Sequence, residues 1–321
     1  MKKILIVRFS SIGDIVLTTP VIRCLKEQLD CEIDYLTFSR HSDILKHNPY
    51  IDRLITIDRS IKEVVPALRK ARYDLVIDLH RNIRTFSLKL QLLRPSRAFH
   101  KLNIRKLIMV WFKINMLPAV HIVDRYLHCV QRLGIKNDGK GLDYFVTDFD
   151  RAVALPEGFD KDYVAFVIGG NYTTKILPAS QVLRIISKIR QPVVLLGGVM
   201  DKARGEQIVA DAAVPDVVYN GCGAFTLNES AAVIERASVV YANDTGLMHI
   251  AAAMRRPIVS FWGNTIPEFG MTPYLPENFQ PQPLIIEVKG LRCRPCSKLG
   301  FNNCPKGHFD CMEKITYQPE E

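Results

Sequence analysis

The sequence predicts an α/β protein made of two doubly wound parallel sheets. Three features predict it. Short apolar runs alternate with helix-like segments along both halves of the chain. Several of those runs are apolar without interruption, which suits strands covered by helices on both faces. The length, 321 residues, is more than one average domain needs and comfortable for two. Hydrophobic residues form 48% of the chain and charged residues 24%, a globular composition and not a disordered one.

In the first half, strands are expected at residues 3–9, 32–38, 53–57 and 74–79. Thr18 and Thr19 before Pro20 mark a helix start. Further helices are expected to end near His47 and to cover residues 61–72 and 124–133. Residues 81–113 read as two or three amphipathic helical pieces broken at Pro95. The polar, glycine-containing stretch 134–162 is the expected linker, so the domains are drawn as 1–150 and 151–321. In the second half, strands are expected at 163–168, 192–196, 216–219, 238–242 and 257–262, with helices at 179–190, 201–213, 227–236 and 245–254. Sheets of this kind bind ligands at the carboxyl ends of their strands, and a cleft between two such domains is a common small-molecule site.

The formal net charge of +10 favours an acidic partner: nucleic acid, anionic lipid or a phosphorylated substrate. Residues 81–113 hold nine Lys or Arg and no Asp or Glu, among many apolar residues. That combination reads either as solvated amphipathic helices or as a surface for an anionic lipid headgroup. No nucleic-acid recognition motif accompanies the charge. The apolar run after Lys2 and Lys3 ends at Arg8, too short for a secretory signal. No stretch approaches the roughly 20 apolar residues of a spanning helix. A cytoplasmic protein that touches a membrane peripherally fits these features.

Four constellations fall at predicted strand ends. Ser10, Ser11, Gly13 and Asp14 follow the first strand, where a carboxylate can serve as a general base or simply cap a turn. Asp244, Thr245, Gly246 and His249 lie between a strand and a helix, where free N–H groups make an anion site or an ordinary cap. Lys175 follows Gly169-Gly170 in a loop and can neutralise a diphosphate. Asp201 follows Gly197-Gly198, where it can reach a ribose hydroxyl or cap a helix. The pairs Asp148/Asp150 and Asp160/Asp162 read as solvated loop charges.

Ser10-Ser11-Ile12-Gly13-Asp14 with Thr19-Pro20, the run 73–80, Lys175, and Asp244-Thr245-Gly246-Leu247-Met248-His249 stand in an order and separation that resemble the heptosyltransferases of glycosyltransferase family nine. The resemblance covers essentially the whole chain. It implies a GT-B fold, with two Rossmann-like domains and the site between them. It also implies transfer of heptose from ADP-heptose to the lipopolysaccharide inner core, metal-free and inverting. In that reading Asp14 is the general base, and Ser10 and Ser11 line the site. Lys175 and the N–H groups of Thr245 and Gly246 hold the diphosphate, and Arg81 and Arg84 contact the acceptor. The sequence departs from better-known members at Met248 and at His80-Arg81. A GT-B transferase using another nucleotide sugar or acceptor, and a non-catalytic nucleotide- or lipid-binding protein, are the other readings.

The tail carries Cys293, Cys296, Cys304 and Cys311 in the spacing C-x2-C-x7-C-x6-C, with His308 inside it. Structural zinc, an iron–sulfur cluster, disulfides and free thiols are all compatible with it. Catalysis in the resembling family requires no cofactor.

Overall fold

The computed structural model describes residues 1–159 and 161–319. The chain forms two compact units. One comprises Met1–Lys101 and Val120–Phe145; the other comprises Leu102–Ala119 and the chain from Val146 onward.

The first unit contains β1 (Lys2–Val7), α1 (Ile12–Val16), α2 (Thr19–Gln28), β2 (Cys31–Phe38), β3 (Arg53–Ile57), α3 (Val65–Ala71), β4 (Leu75–Asp78), α4 (Ile83–Leu92) and β5 (Ser96–Ala98). The chain then passes through α5 (Asn103–Phe112), which belongs to the second unit, and returns with α6 (Ile122–Leu127). All strands pair in parallel, in the order β3-β2-β1-β4-β5. Ile4, Leu5, Ile6 and Val7 of β1 are all fully buried, as expected of a central strand with helices on both faces.

The second unit continues with α7 (Asp148–Arg151), β6 (Val164–Val167), α8 (Ala179–Ile186), β7 (Val193–Leu196), α9 (Lys202–Asp211), β8 (Val218–Asn220), α10 (Leu227–Arg236), β9 (Val240–Asn243), α11 (Gly246–Ala253), β10 (Ile258–Trp262), β11 (Leu284–Glu287) and α12 (Asp310–Glu313). Its parallel sheet runs β11-β10-β9-β6-β7-β8. Counted within the unit this is the order 3-2-1-4-5-6 of dinucleotide-binding sheets. One face of the sheet is packed by the rings of Phe166, Tyr241 and Phe261, stacked at centroid distances of 5.3 and 6.1 Å from Phe166.

Several details differ from the sequence reading for local reasons. The helix expected to end near His47 is a 3-10 turn, Ser39–Ile44. The Ser42 hydroxyl donates to the Ser39 carbonyl at 2.7 Å, a local bond that competes with helix propagation. The helix expected at 61–72 is split: a turn capped by Ser60 and Glu63 precedes α3, which starts at Val65 with proline beside its first residue. The edge strands β5 and β11 are too short or too flanked by proline to stand out in the sequence. Asp150 is no solvated loop charge: it is buried in α7, accepting from the Thr147 N–H at 2.8 Å and the Thr147 hydroxyl at 2.6 Å. Asp148 is fully exposed, and Asp160 lies outside the described residues. Among the described residues no helix is long and apolar enough to cross a membrane.

The expected linker is anchored at its start. Arg23 on α2 is buried and grips Asp138 through two bonds of 2.7 and 2.9 Å, the Gly141 carbonyl at 2.8 Å, and Asp143. Burial alone would raise the Asp138 carboxyl, but the Arg23 bonds dominate with their neighbours and hold it at about 2. Arg23→Met leaves two acids without their cation, and we expect it to cost about 3–5 kcal/mol at neutral pH. A carboxyl depressed in the folded state contributes stability above its unfolded pKa of about 3.9, and loses it as pH falls through the folded value. The gap between wild type and variant in urea unfolding should therefore narrow as pH falls from about 4 towards 2. A gap unchanged across that window would mean that the pair does not carry the difference.

Candidate active site

In the first sheet the connections from β1 and β4 leave towards opposite edges, so the carboxyl ends of these two strands are not covered by their own crossovers. Ligands enter parallel sheets at such points. Beyond β1 come Arg8, Ser10, Ser11 and α1, which carries Gly13 and Asp14. Beyond β4 come His80 and Arg81.

Arg8 organises this end. Its guanidinium is buried and donates to the Ser10 carbonyl at 2.7 Å, the Leu79 carbonyl at 2.6 Å and the Tyr126 hydroxyl at 3.1 Å. Its remaining nitrogen meets Asp14 Oδ2 at 2.7 Å. The same oxygen accepts from the Ser11 hydroxyl at 2.9 Å and the Ser11 N–H at 3.3 Å. Burial pushes the Asp14 carboxyl up, but the Arg8 charge and the Ser11 bonds outweigh it, and the net shift is below the usual carboxylate range. Asp14 is half-buried and ionised at neutral pH.

His80 packs edge-on against Phe9, ring centroids 5.4 Å apart. Burial, with the charges of Arg8 and Lys101, drives its imidazole down to about 4, so the ring is neutral at physiological pH. Its Nδ1 is buried without a hydrogen-bond partner among the described residues. Asp78, the last residue of β4, accepts from the His80 N–H at 3.1 Å and the Arg81 N–H at 2.6 Å and pairs with Lys89 at 3.0 Å. Arg81 donates to the Phe99 carbonyl at 2.9 Å, and Arg84 lies 5.5 Å from the Phe9 ring and 5.0 Å from the Phe38 ring. A pocket of about 480 Å³ opens beside them, with Arg81, Lys89 and His100 on its wall together with Ile83 and Phe86. The predicted Ser10, Ser11, Gly13 and Asp14 thus share one strand end, and Arg81 and Arg84 follow the neighbouring one.

The second unit repeats the arrangement at β6 and β9. Asn243, the buried last residue of β9, accepts from the Leu177 N–H at 3.0 Å and donates to the Val167 carbonyl at 3.2 Å. These bonds pin the loop after β6 against β9. Gly170 permits the approach, since a Cβ there would lie 3.3 Å from the Thr245 methyl and 3.1 Å from Ile176. Lys175 consequently meets Asp244 at 2.5 Å, and Asp244 also accepts from Thr265 at 2.8 Å. Asp244 is therefore engaged away from the helix. Thr245 occupies the N-cap position of α11, but its side chain makes no cap bond and its buried hydroxyl has no partner among the described residues. The first N–H groups of α11, from Gly246 on, form the positive end of the helix. His249 is buried one turn along α11. Asp201 accepts from the Gly198 N–H at 2.8 Å and packs against Gly169 and Gly197, closing the turn before α9.

The cysteine-rich tail reaches the same place. Thr174, next to Lys175, exchanges backbone and side-chain bonds with Phe301 at 3.1, 3.1 and 2.8 Å. Arg294 donates to the Gly263 and Thr265 carbonyls and pairs with Glu287 at 2.7 Å. The tail braces the loops that carry Lys175 and Thr265. Its four cysteines form no disulfide. Cys293 Sγ lies 3.8 Å from His308 Nε2, and Cys296 Sγ donates to the Cys293 carbonyl at 3.1 Å. Burial, then neighbouring thiols, pushes Cys296 up to about 11 and Cys311 to about 12. Among the described residues no group of three His, Cys, Asp or Glu is arranged to hold a metal, so the zinc expectation gains no support.

Sequence reasoning missed Arg8, His80 as a site residue, Lys101 and Thr265. Arg8 had a signal: it is a lone cation between the apolar Val7 and Phe9 at the end of a buried strand. Lys101 and Thr265 had none, because their positions come from chain segments far from the motifs. Arg8→Gln removes the charge that opposes burial, so the Asp14 carboxyl should titrate at higher pH than in the wild type. Carboxyl NMR of Asp14 measures this directly, and an unmoved titration would mean that Arg8 does not set its ionisation.

The family description "Glycosyltransferase family 9 (heptosyltransferase)" matches residues 61–296. The chain is 24% identical over 288 residues to lipopolysaccharide heptosyltransferase 1 of Campylobacter coli, covering 82% of this chain and 84% of that protein. Among solved structures, a family 9 glycosyltransferase from Veillonella parvula superposes with a TM-score of 0.73 at 24% identity, covering 89% of this chain and 86% of its own. The ADP-heptose lipopolysaccharide heptosyltransferase II of E. coli gives 0.71 at 18% identity, covering 98% of both chains. These structures share the two doubly wound sheets of the GT-B fold. With the family description spanning most of the sequence and the same fold beneath it, the chain belongs to glycosyltransferase family 9, the heptosyltransferases.

Proposed function

We propose that this chain transfers heptose from ADP-heptose to a lipopolysaccharide inner-core acceptor, without a metal and with inversion at the anomeric carbon. The observation that carries the proposal is the division of charge between two strand-end sites: an ionised Asp14 on one unit, and an open helix N-terminus beside Lys175 on the other. The acceptor belongs to the N-terminal domain, drawn at residues 1–150, and the nucleotide sugar to the C-terminal domain, residues 151–321. The names of the Campylobacter coli and E. coli relatives support this choice of donor and acceptor. The enzyme works at the cytoplasmic face of the inner membrane.

In this scheme Asp14 takes the proton from the acceptor hydroxyl as its oxygen attacks the anomeric carbon. The bond from that carbon to the diphosphate oxygen breaks, and ADP leaves carrying the electron pair. Negative charge grows on the diphosphate, where Lys175 and the N–H groups of Thr245 and Gly246 stabilise it. An ammonium has three donors, so its pairing with Asp244 leaves donors for a phosphate. Ser10, Ser11 and Gly13 shape the approach to the reacting sugar. Asp201 and His249 belong to the nucleotide-sugar side, and Arg81 and Arg84 meet acidic groups of the acceptor.

Two measurements test the scheme. Asp14→Asn should lower kcat by about 10²–10⁴-fold, the usual worth of a general base, while ADP binding by calorimetry stays unchanged. Retained turnover would remove Asp14 from the role. Lys175→Ala should weaken ADP binding by about 10–100-fold, the worth of a charge-assisted hydrogen bond. Wild-type protein should prefer ADP to UDP and GDP; a preference for either of the others would overturn the donor.

A further inference from the structure

Helix α4 buries one side and leaves a second apolar side uncovered. Thr85, Leu88 and Leu92 face the core of the first unit. Ile83, Phe86, Leu90 and Leu93 recur at helical spacing on the opposite side and are 88%, 60%, 58% and 85% exposed. Four large apolar side chains in one exposed stripe exceed the scattered surface hydrophobes of ordinary soluble domains.

Cations gather near the end of the stripe that holds Leu90 and Leu93. Helix α3 packs beside α4, with Arg69 donating to the Gln91 carbonyl at 2.8 Å. Arg69, Lys70 and Arg72 at its end are exposed, as is Arg94 just past α4. No Asp or Glu occurs between Arg81 and Lys113. A second feature concerns Leu93 itself. It ends α4 with φ of +51°, a left-handed conformation that favours glycine or asparagine. A leucine there adds strain and exposes its side chain, which gains nothing for the fold.

We propose that the exposed face of α4 docks on an anionic lipid bilayer, with Leu90 and Leu93 entering the acyl boundary and the flanking arginines and lysines meeting phosphate headgroups. Charge complementarity selects this occupant. A second copy of this chain would bring the same cations against each other, whereas an anionic leaflet neutralises them. Apolar side chains flanked by Arg and Lys are the pattern of helices that lie in a membrane interface. Ile83 and Phe86, at the start of the stripe, also line the pocket beside Arg81 and Lys89. Docking would bring that pocket to the depth of lipid headgroups.

The test is co-sedimentation of the full chain with vesicles, in the absence of any sugar donor, so that it stands apart from the transfer chemistry. Vesicles of phosphatidylcholine with phosphatidylglycerol are compared with phosphatidylcholine alone. Binding should require the anionic lipid and fall with added salt. Leu90→Ser and Leu93→Asn should each weaken it by about tenfold, the worth of one buried leucine. Leu93→Asn should also raise the melting temperature, since asparagine tolerates the left-handed turn; a variant that is better folded yet binds worse separates docking from misfolding. Equal binding to neutral vesicles, no binding, or binding unaffected by both variants would overturn the proposal. So would self-association in sedimentation velocity that Leu90→Ser abolishes while vesicle binding persists.

Discussion

Parallel sheets leave one weak point, and this protein places its polar residues there twice. Strands that pair in parallel must be joined by crossovers that pack over the sheet. Where successive crossovers leave towards opposite edges, two neighbouring strands end without a covering helix. Between β1 and β4, and again between β6 and β9, the backbone therefore ends in loops that are free to carry polar side chains. The buried and largely apolar strands below supply a rigid base for them.

Each of these points holds a carboxylate fixed by a cation. At the first, burial alone would favour a neutral Asp14, and the Arg8 guanidinium reverses that preference. Because Arg8 is itself tied to Ser10, Leu79 and Tyr126, the pair is held by both strand ends and by α6. At the second, Asp244 takes Lys175 and Thr265 instead of capping α11. The same bonds that position the lysine thereby leave the helix end open. One structural plan thus yields two carboxylate–cation pairs, one at each point.

The segments with the least regular structure are tied down by specific bonds. The stretch before Asp143 is held by Arg23, and the tail near Phe301 closes on Thr174 beside Lys175. Segment Leu102–Ala119 packs with the second unit, where Lys113 donates to the Cys293 and Pro295 carbonyls at 3.1 and 2.7 Å, although the sequence boundary assigns it to the first domain. The tail cysteines thus stand next to the basic segment in space while lying 180 residues away in sequence.

The sequence by itself determined the class of fold and the chain positions of the main polar motifs. Apolar runs, helix starts and glycine turns are local signals, and the strands at 53–57 and the helix at 227–236 appear at those bounds because their patterns need nothing from elsewhere. Edge strands, split helices and the role of Asp150 depended on proline placement and on capping bonds that periodicity does not register. Only the tertiary structure decided which cation meets which carboxylate. Arg8 with Asp14, Lys175 with Asp244, and Arg23 with Asp138 are joined across gaps of sequence that carry no local mark, since a charge is buried only where the fold brings its partner.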